Sequence, residues 1–255
     1  MKQSSLLRIG AATTLPLLLL FVQFSTFNYS SSVFAQSQTV MINEWSQGSS
    51  GRKEWVELLV IGEGVNLVGW DLGDESAGDL TFSAADLWQN VPPGTLIVIY
   101  NGADRDDTLP ADDLDVSDWV LVADSRDETL FEGSWPSFSN SNSSDFPQVR
   151  NASGQTVHSL SFLLDNAEKA PAGGEALHFT GSNLDAVDVA SNWVKLNAPD
   201  ASPAAGNGNE NRAWIESLQA DLPTVPTSEP NVVLAKVYPD GLANNDMDEA
   251  ILLKN

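Results

Sequence analysis

Three carboxylates lie close together near the start of the chain, Glu44 in "INEW" and Glu54 and Glu57 in "EWVELL". Paired carboxylates are the equipment of general acid–base hydrolysis, in which one holds the proton that the other has given up. Further on, "NGADRDDTLPADDL" carries Asp104, Asp106, Asp107, Asp112 and Asp113, with Asp115 close behind. These are hard oxygen ligands on a loop, as calcium takes in sets of about six to eight. The two histidines, His158 and His178, would act as a metal pair only by meeting across strands with a carboxylate nearby. A Gly-x-Ser-x-Gly elbow, a glycine-rich phosphate loop with lysine and a His-Glu-x-x-His helix are all missing from the sequence. It also contains no cysteine, which excludes disulfides and thiolate zinc sites.

Each of these constellations has a plainer reading beside it. With 35 Asp and Glu in the chain, closeness in sequence does not single out an acid–base pair. "DRDD" lacks the glycine and the glutamate that an EF-hand loop needs at its sixth and twelfth positions, so a calcium cradle and a solvated acidic loop both stay open. Both histidines fall inside strand-like runs, where they read as sheet positions.

The elements that would carry these residues are strands. Around Glu57 the run "KEWVELLV" alternates, with Val56, Leu58 and Val60 on one face and Trp55, Glu57 and Leu59 on the other, and glycines at 51 and 62 close it off. This pattern predicts a strand with a half-exposed face holding Glu57. "TVMINEW", "NLVGWDL", "GTLIVIY", "DWVLVAD", "TVHSLSF" and "EALHFTG" are of the same kind. Only Ala84 to Asn90 and Glu210 to Gln219 suggest helical turns. Many short strands between turn clusters predict an all-β sandwich or barrel. Residues 101–114 read as an acidic loop, 137–155 as an exposed polar excursion rich in Ser and Asn, and 199–211 as loop. "DLPTVPTSEP", with three prolines, reads as a stiff linker.

At the N-terminus, Lys2 and Arg8 precede an apolar run from Leu15 to Val22, and Val33-Phe34-Ala35 before Gln36 resembles a cleavage site. The run is far shorter than the roughly 20 residues that span a bilayer. This predicts a secretory signal, with no transmembrane segment in what remains. Loss of Lys2 and Arg8 would take the formal net charge from −23 to −25. Such a surface repels phosphate backbones and disfavours direct nucleic-acid binding. The expected organisation is a signal at 1–35, a sandwich at 36–215, a linker at 216–230 and, at 231–255, a hairpin that starts the pattern again. There "VVLAKVY", Glu249 and "AILLKN" follow the plan of "VMINEWS", Glu54 and "WVELL".

"INEW" at 42–45, "EWVELL" at 54–59 and "VNLVGWDLGD" at 65–74 together resemble the start of the lamin-tail domain. "VPPGTLIVIYNG" at 91–102, "GGEALHFTGSNLDAVDVASNW" at 173–193 and "SPAAGN" at 202–207 are similar to its later strands and terminus. The resemblance covers about residues 38–212, with longer loops at 103–172 than the family leads one to expect. It implies an immunoglobulin-like antiparallel β-sandwich in which Glu57 has a structural role and Trp70 is core. It further implies a non-enzymatic exported module that binds or tethers an unidentified protein or glycan. The alternatives are an accessory domain of a larger secreted hydrolase or nuclease, and a calcium-stabilised adhesion domain. Trp88, Trp119 and Trp135 read as contact surfaces or as core.

Overall fold

Runs of β-branched and aromatic residues, cut by turn clusters, become strands that pair into two layers. The computed structural model describes residues 39–49, 53–136, 138, 146–165 and 170–220, together with the backbone of 233–238 and 250–254. The first layer holds β1 (Val40–Ser46), β2 (Trp55–Val60), β5 (Leu96–Tyr100), β6 (Val120–Asp124), β10 (Glu175–Phe179) and β11 (Trp193–Asn197). Their order is β11-β10-β1-β2-β5-β6. In the second layer β3 (Asp71–Gly73), β4 (Leu80–Phe82), β7 (Phe131–Gly133), β8 (Gln148–Arg150) and β9 (Thr156–Ser159) run in the order β7-β4-β3-β8-β9. The protein is an all-β sandwich. All pairings within the two layers are antiparallel except β5 with β6, which run parallel.

The main core fills the space between the layers. Ile42, Trp45, Val56 and Leu58 from the first sheet join Leu72, Leu80, Phe82 and Val149 from the second. Trp88, on a short 3-10 turn over Asp86–Trp88, is fully buried among them and stacks edge-on against Phe82, their centroids 5.0 Å apart. Trp70 is core as well. Trp119 is half-buried at the start of β6, its carbonyl accepting from Leu96 N at 2.9 Å.

Contrary to the expected half-exposed face, all six residues of β2 are buried. The outer face of the first sheet has its own apolar cluster, Trp55, Val98, Tyr100, Leu109 and Val122, against which Ala201 and Ala204 pack. Leu109 comes from the acidic loop and the two alanines from the 199–211 loop, so these segments roof the sheet. The stretch 137–155 also departs from a purely exposed excursion. Val149 lies in β8, and Phe138 and Phe146 are buried against Trp45 at centroid distances of 5.9 and 5.5 Å. A helix, α1 (Gly208–Ala220), follows the roof and takes in residues 216–220, which the sequence assigns to the linker. Its Ile215 enters the core, and Gln219 Nε2 donates to Gly94 O at 3.0 Å. No helix among the described residues is long and apolar enough to cross a membrane.

The C-terminal strands β12 (Val233–Tyr238) and β13 (Ala250–Lys254) pair as an antiparallel hairpin. Its register slips by one residue between Leu234 and Lys236, as β1 slips against β2 between Ile42 and Glu44. Lys236 and Leu252 hold the positions that Glu44 and Glu57 hold in the first hairpin. The expected signal at 1–35 and the proline-rich segment beyond Ala220 lie outside the described residues.

Candidate functional site

A bulge in β1 builds a polar interior. Ile42 pairs with Leu58 facing the core, yet two residues later Glu44 pairs with Glu57. The extra residue, Asn43, is what the bulge inserts. It sets Asn43 and Glu44 on the outer face together, beside Glu57, in a row that crosses the sheet from His178 through Glu44 and Glu57 to Val98 and Val122. Asn43, Glu44 and Glu57 are fully buried.

The loop from 201 to 207 closes over them. Ala204 N donates to Glu57 Oε2 at 2.6 Å, and Ser202 N is shared between the two oxygens of Glu44 at 3.3 Å each. Asn43 Nδ2 donates to the other Glu57 oxygen at 2.8 Å and accepts at Oδ1 from Asn211 Nδ2 at 3.0 Å. Asn207 Nδ2 donates to the Asn43 carbonyl at 3.1 Å, its Oδ1 accepts from Ser202 Oγ at 2.6 Å, and its N–H donates to Asn211 Oδ1 at 2.9 Å. The polar atoms that the bulge exposes are thus met by side chains and N–H groups from a single segment more than a hundred residues away. We call this set the latch.

Burial dominates the electrostatics of the latch. It pushes Glu57 up to about 8, against the two hydrogen bonds that favour the charged form, and it raises Glu44 well above the usual carboxylate range, helped by the neighbouring Glu57 charge. Two carboxyls so placed titrate as a unit. His178 Nδ1 stands 3.8 Å from Glu44 Oε1, beyond hydrogen-bond range, and burial holds the ring below its ordinary value against a hydrogen bond with Asn207. Two acids and an imidazole are the residue types of an acid–base centre, but the loop lies over them, Ser202 donating its N–H to Glu44 and Ala204 its N–H to Glu57. A substrate would have to displace the loop to reach them.

The other histidine serves the inner side of the same strand. His158 Nδ1 accepts from Ile42 N at 3.0 Å, which leaves the ring proton on Nε2, and the ring stacks on Trp193 at 6.3 Å. Burial alone pushes it down to about 3. His158 and His178 sit in β9 and β10, on opposite sides of the first sheet, as expected for sheet positions and not for a metal pair.

Four of the five aspartates of the acidic loop are engaged separately. Asp106 is buried and accepts from Ser49 N, Thr108 N and Thr108 Oγ1. Asp107 pairs with Lys53 at 2.8 Å, Asp112 with Arg105 and the Tyr100 hydroxyl, and Asp113 Oδ1 accepts from Asp115 N. Asp104 lies in the turn closed by its N–H on Asn101 O. Among the described residues no three His, Asp or Glu side chains converge so as to hold a metal ion.

Glu54, the third carboxylate of the opening motif, stands apart from the latch. Its Oε2 accepts from Trp135 Nε1 at 2.8 Å, and burial pushes it up to about 7. Trp135 in turn forms one wall of an open cleft of about 700 Å³ lined also by Asn101, Arg126, Glu128, Phe131 and Glu132. Asn43, Asn207 and Asn211 carry no chemical signal of their own in the sequence; the first two lie in "INEW" and "SPAAGN", segments of the resemblance, and nothing marks Asn211. Compared with known proteins, the chain matches no family model, no curated protein and no solved structure.

Proposed function

We propose that this chain is an exported binding module built on an immunoglobulin-like sandwich of the lamin-tail type, and that it tethers a partner rather than transforming a substrate. The observation that carries this reading is the latch. "INEW", "EWVELL" and "SPAAGN", the segments that suggest the family, meet in one sealed set of hydrogen bonds. The carboxylates most suited to chemistry are spent there on holding the roof to the sheet. Groups that give strength to a scaffold leave recognition to its loops and clefts, where a rigid sandwich can present them. The shared register slip of the C-terminal hairpin favours a second, similar unit beginning at residue 231, as tandem modules of a tether would have.

The test is to incubate the purified full-length chain with isolated envelopes of the producing cells and with model ester, phosphodiester and glycoside substrates. The expected result is co-sedimentation with the envelopes and no turnover. Hydrolysis that disappears in a folded Glu57→Gln variant would overturn the proposal.

A further inference from the structure

The cleft beside Trp135 has the makings of a recognition site, and the indole is held in place from two sides. Its Nε1 is anchored on Glu54, and Phe138 meets it edge-on at 5.6 Å with planes at 86°. The ring is half-buried, so part of it is left to line the cleft. Of the charged groups around it, Arg126 is committed to Asp124, through Nη2 at 3.1 Å and Nε at 3.4 Å. Glu128 and Glu132 have no ion-pair partner among the described residues. The cleft therefore offers an aromatic wall and two uncompensated negative charges on a chain whose formal net charge is −23.

We propose that this cleft takes a lysine or arginine side chain of a basic segment on a protein partner, with the cation between the Trp135 ring and the carboxylates of Glu128 and Glu132. A cation gains from both walls at once, since the indole face attracts it and the carboxylates neutralise it. The acidic surface steers a basic partner toward the site and repels an acidic one. A neutral sugar could stack on the ring but would leave both carboxylates uncompensated, and a phosphate or sulfate group would be repelled by them. This inference rests on the binding-module reading and adds the chemistry of the partner.

The experiment is calorimetric titration of the full-length chain with a tetralysine peptide at low ionic strength. It compares Glu128→Gln/Glu132→Gln with a control of equal charge loss at two exposed positions elsewhere, Glu63→Gln/Glu216→Gln. The site variant is expected to bind about tenfold more weakly and the control to change by less than about twofold. A third variant, Trp135→Leu, is expected to weaken binding severalfold while Glu128 and Glu132 remain. Equal weakening in site variant and control overturns the proposal, because the peptide is then answering only the overall charge. So does binding of a neutral oligosaccharide that Trp135→Leu abolishes while tetralysine binding is untouched. If the peptide fails to bind at the cleft but the chain still sediments with envelopes, this inference falls and the binding-module reading stands.

Discussion

At Glu57 two hydrogen bonds favour the charged carboxylate and burial opposes it, and burial prevails. The sign of the pH dependence follows. Glu44, Glu54 and Glu57 keep their protons in the folded chain to a higher pH than in the unfolded one. Their contribution is fully present below the ordinary carboxylate value and is lost as pH rises, through about 7 for Glu54 and about 8 for Glu57. His158 works the other way. It resists protonation down to about 3, so the unfolded chain gains the proton first and stability is lost as pH falls below the ordinary value of 6.5. Between the ordinary carboxylate value of 4.5 and pH 6.5 the three carboxylates lose more than His158 gains, so the denaturation midpoint in urea is expected to be highest at about pH 4 to 5 and to fall from there to pH 8. Glu57→Gln sets an amide NH₂ against Asn43 Nδ2 or Ala204 N. At pH 6 it is expected to cost about 1–3 kcal/mol, and above pH 7 its deficit relative to the native chain should narrow. A deficit that stays constant up to pH 9 would show that Glu57 is ionised throughout. Strand alternation puts Glu57 on the correct face but leaves it half-exposed, because the pattern shows which face a residue is on and not what covers that face. Here the cover arrives from Ser202 and Ala204, and nothing near residue 57 announces it.

Of the sandwich strands of four residues or more, β1, β2, β5, β6, β9 and β10 fall on runs whose length and flanking turns identify them, while β11, exposed at Val194, Lys195 and Asn197, falls on none. Three-residue strands such as β4, β7 and β8 contain too few positions for a period of two to register, and they owe their conformation to the neighbours they pair with. Phe138 and Phe146 stood out poorly among serines and asparagines for a related reason, because isolated aromatics carry no period. The helix α1 was seen only as a turn, and its role is to seal the end of the roof. Where it passes over Gly94, a Cβ on that residue would lie 2.4 Å from Gln219 Cγ and 3.1 Å from Ile215 O, and Gly94 has φ +80° besides. Gly94→Ala is expected to push α1 away from the sheet and cost about 2 kcal/mol or more, with faster amide exchange in residues 208–220 and little change in β3, β4 and β8. Unchanged exchange in α1 would mean that the helix does not depend on this close approach.

Over the whole molecule, a formal charge of −23 works against compactness. Added sodium chloride is expected to raise the melting temperature by screening this repulsion, and calcium to raise it no more than magnesium does at equal concentration, since among the described residues no three carboxylates converge and Asp106, Asp107 and Asp112 are each engaged elsewhere. A rise specific to calcium would show that the loop gathers around that ion after all. The latch has one more consequence, which concerns time. Its bonds join Asn43 and Glu44 to Ser202, Asn207 and Asn211 across 158 to 168 residues of chain. A ribosome delivers these partners only after every strand of the sandwich, so a growing chain has its first hairpin made long before anything can satisfy the bulge within it. Until residue 207 emerges, Glu44 and Glu57 can only remain hydrated, and the early hairpin carries its own charges against premature collapse. The sandwich is thereby able to stay open until all its strands are made, and the loop that follows them decides when it shuts.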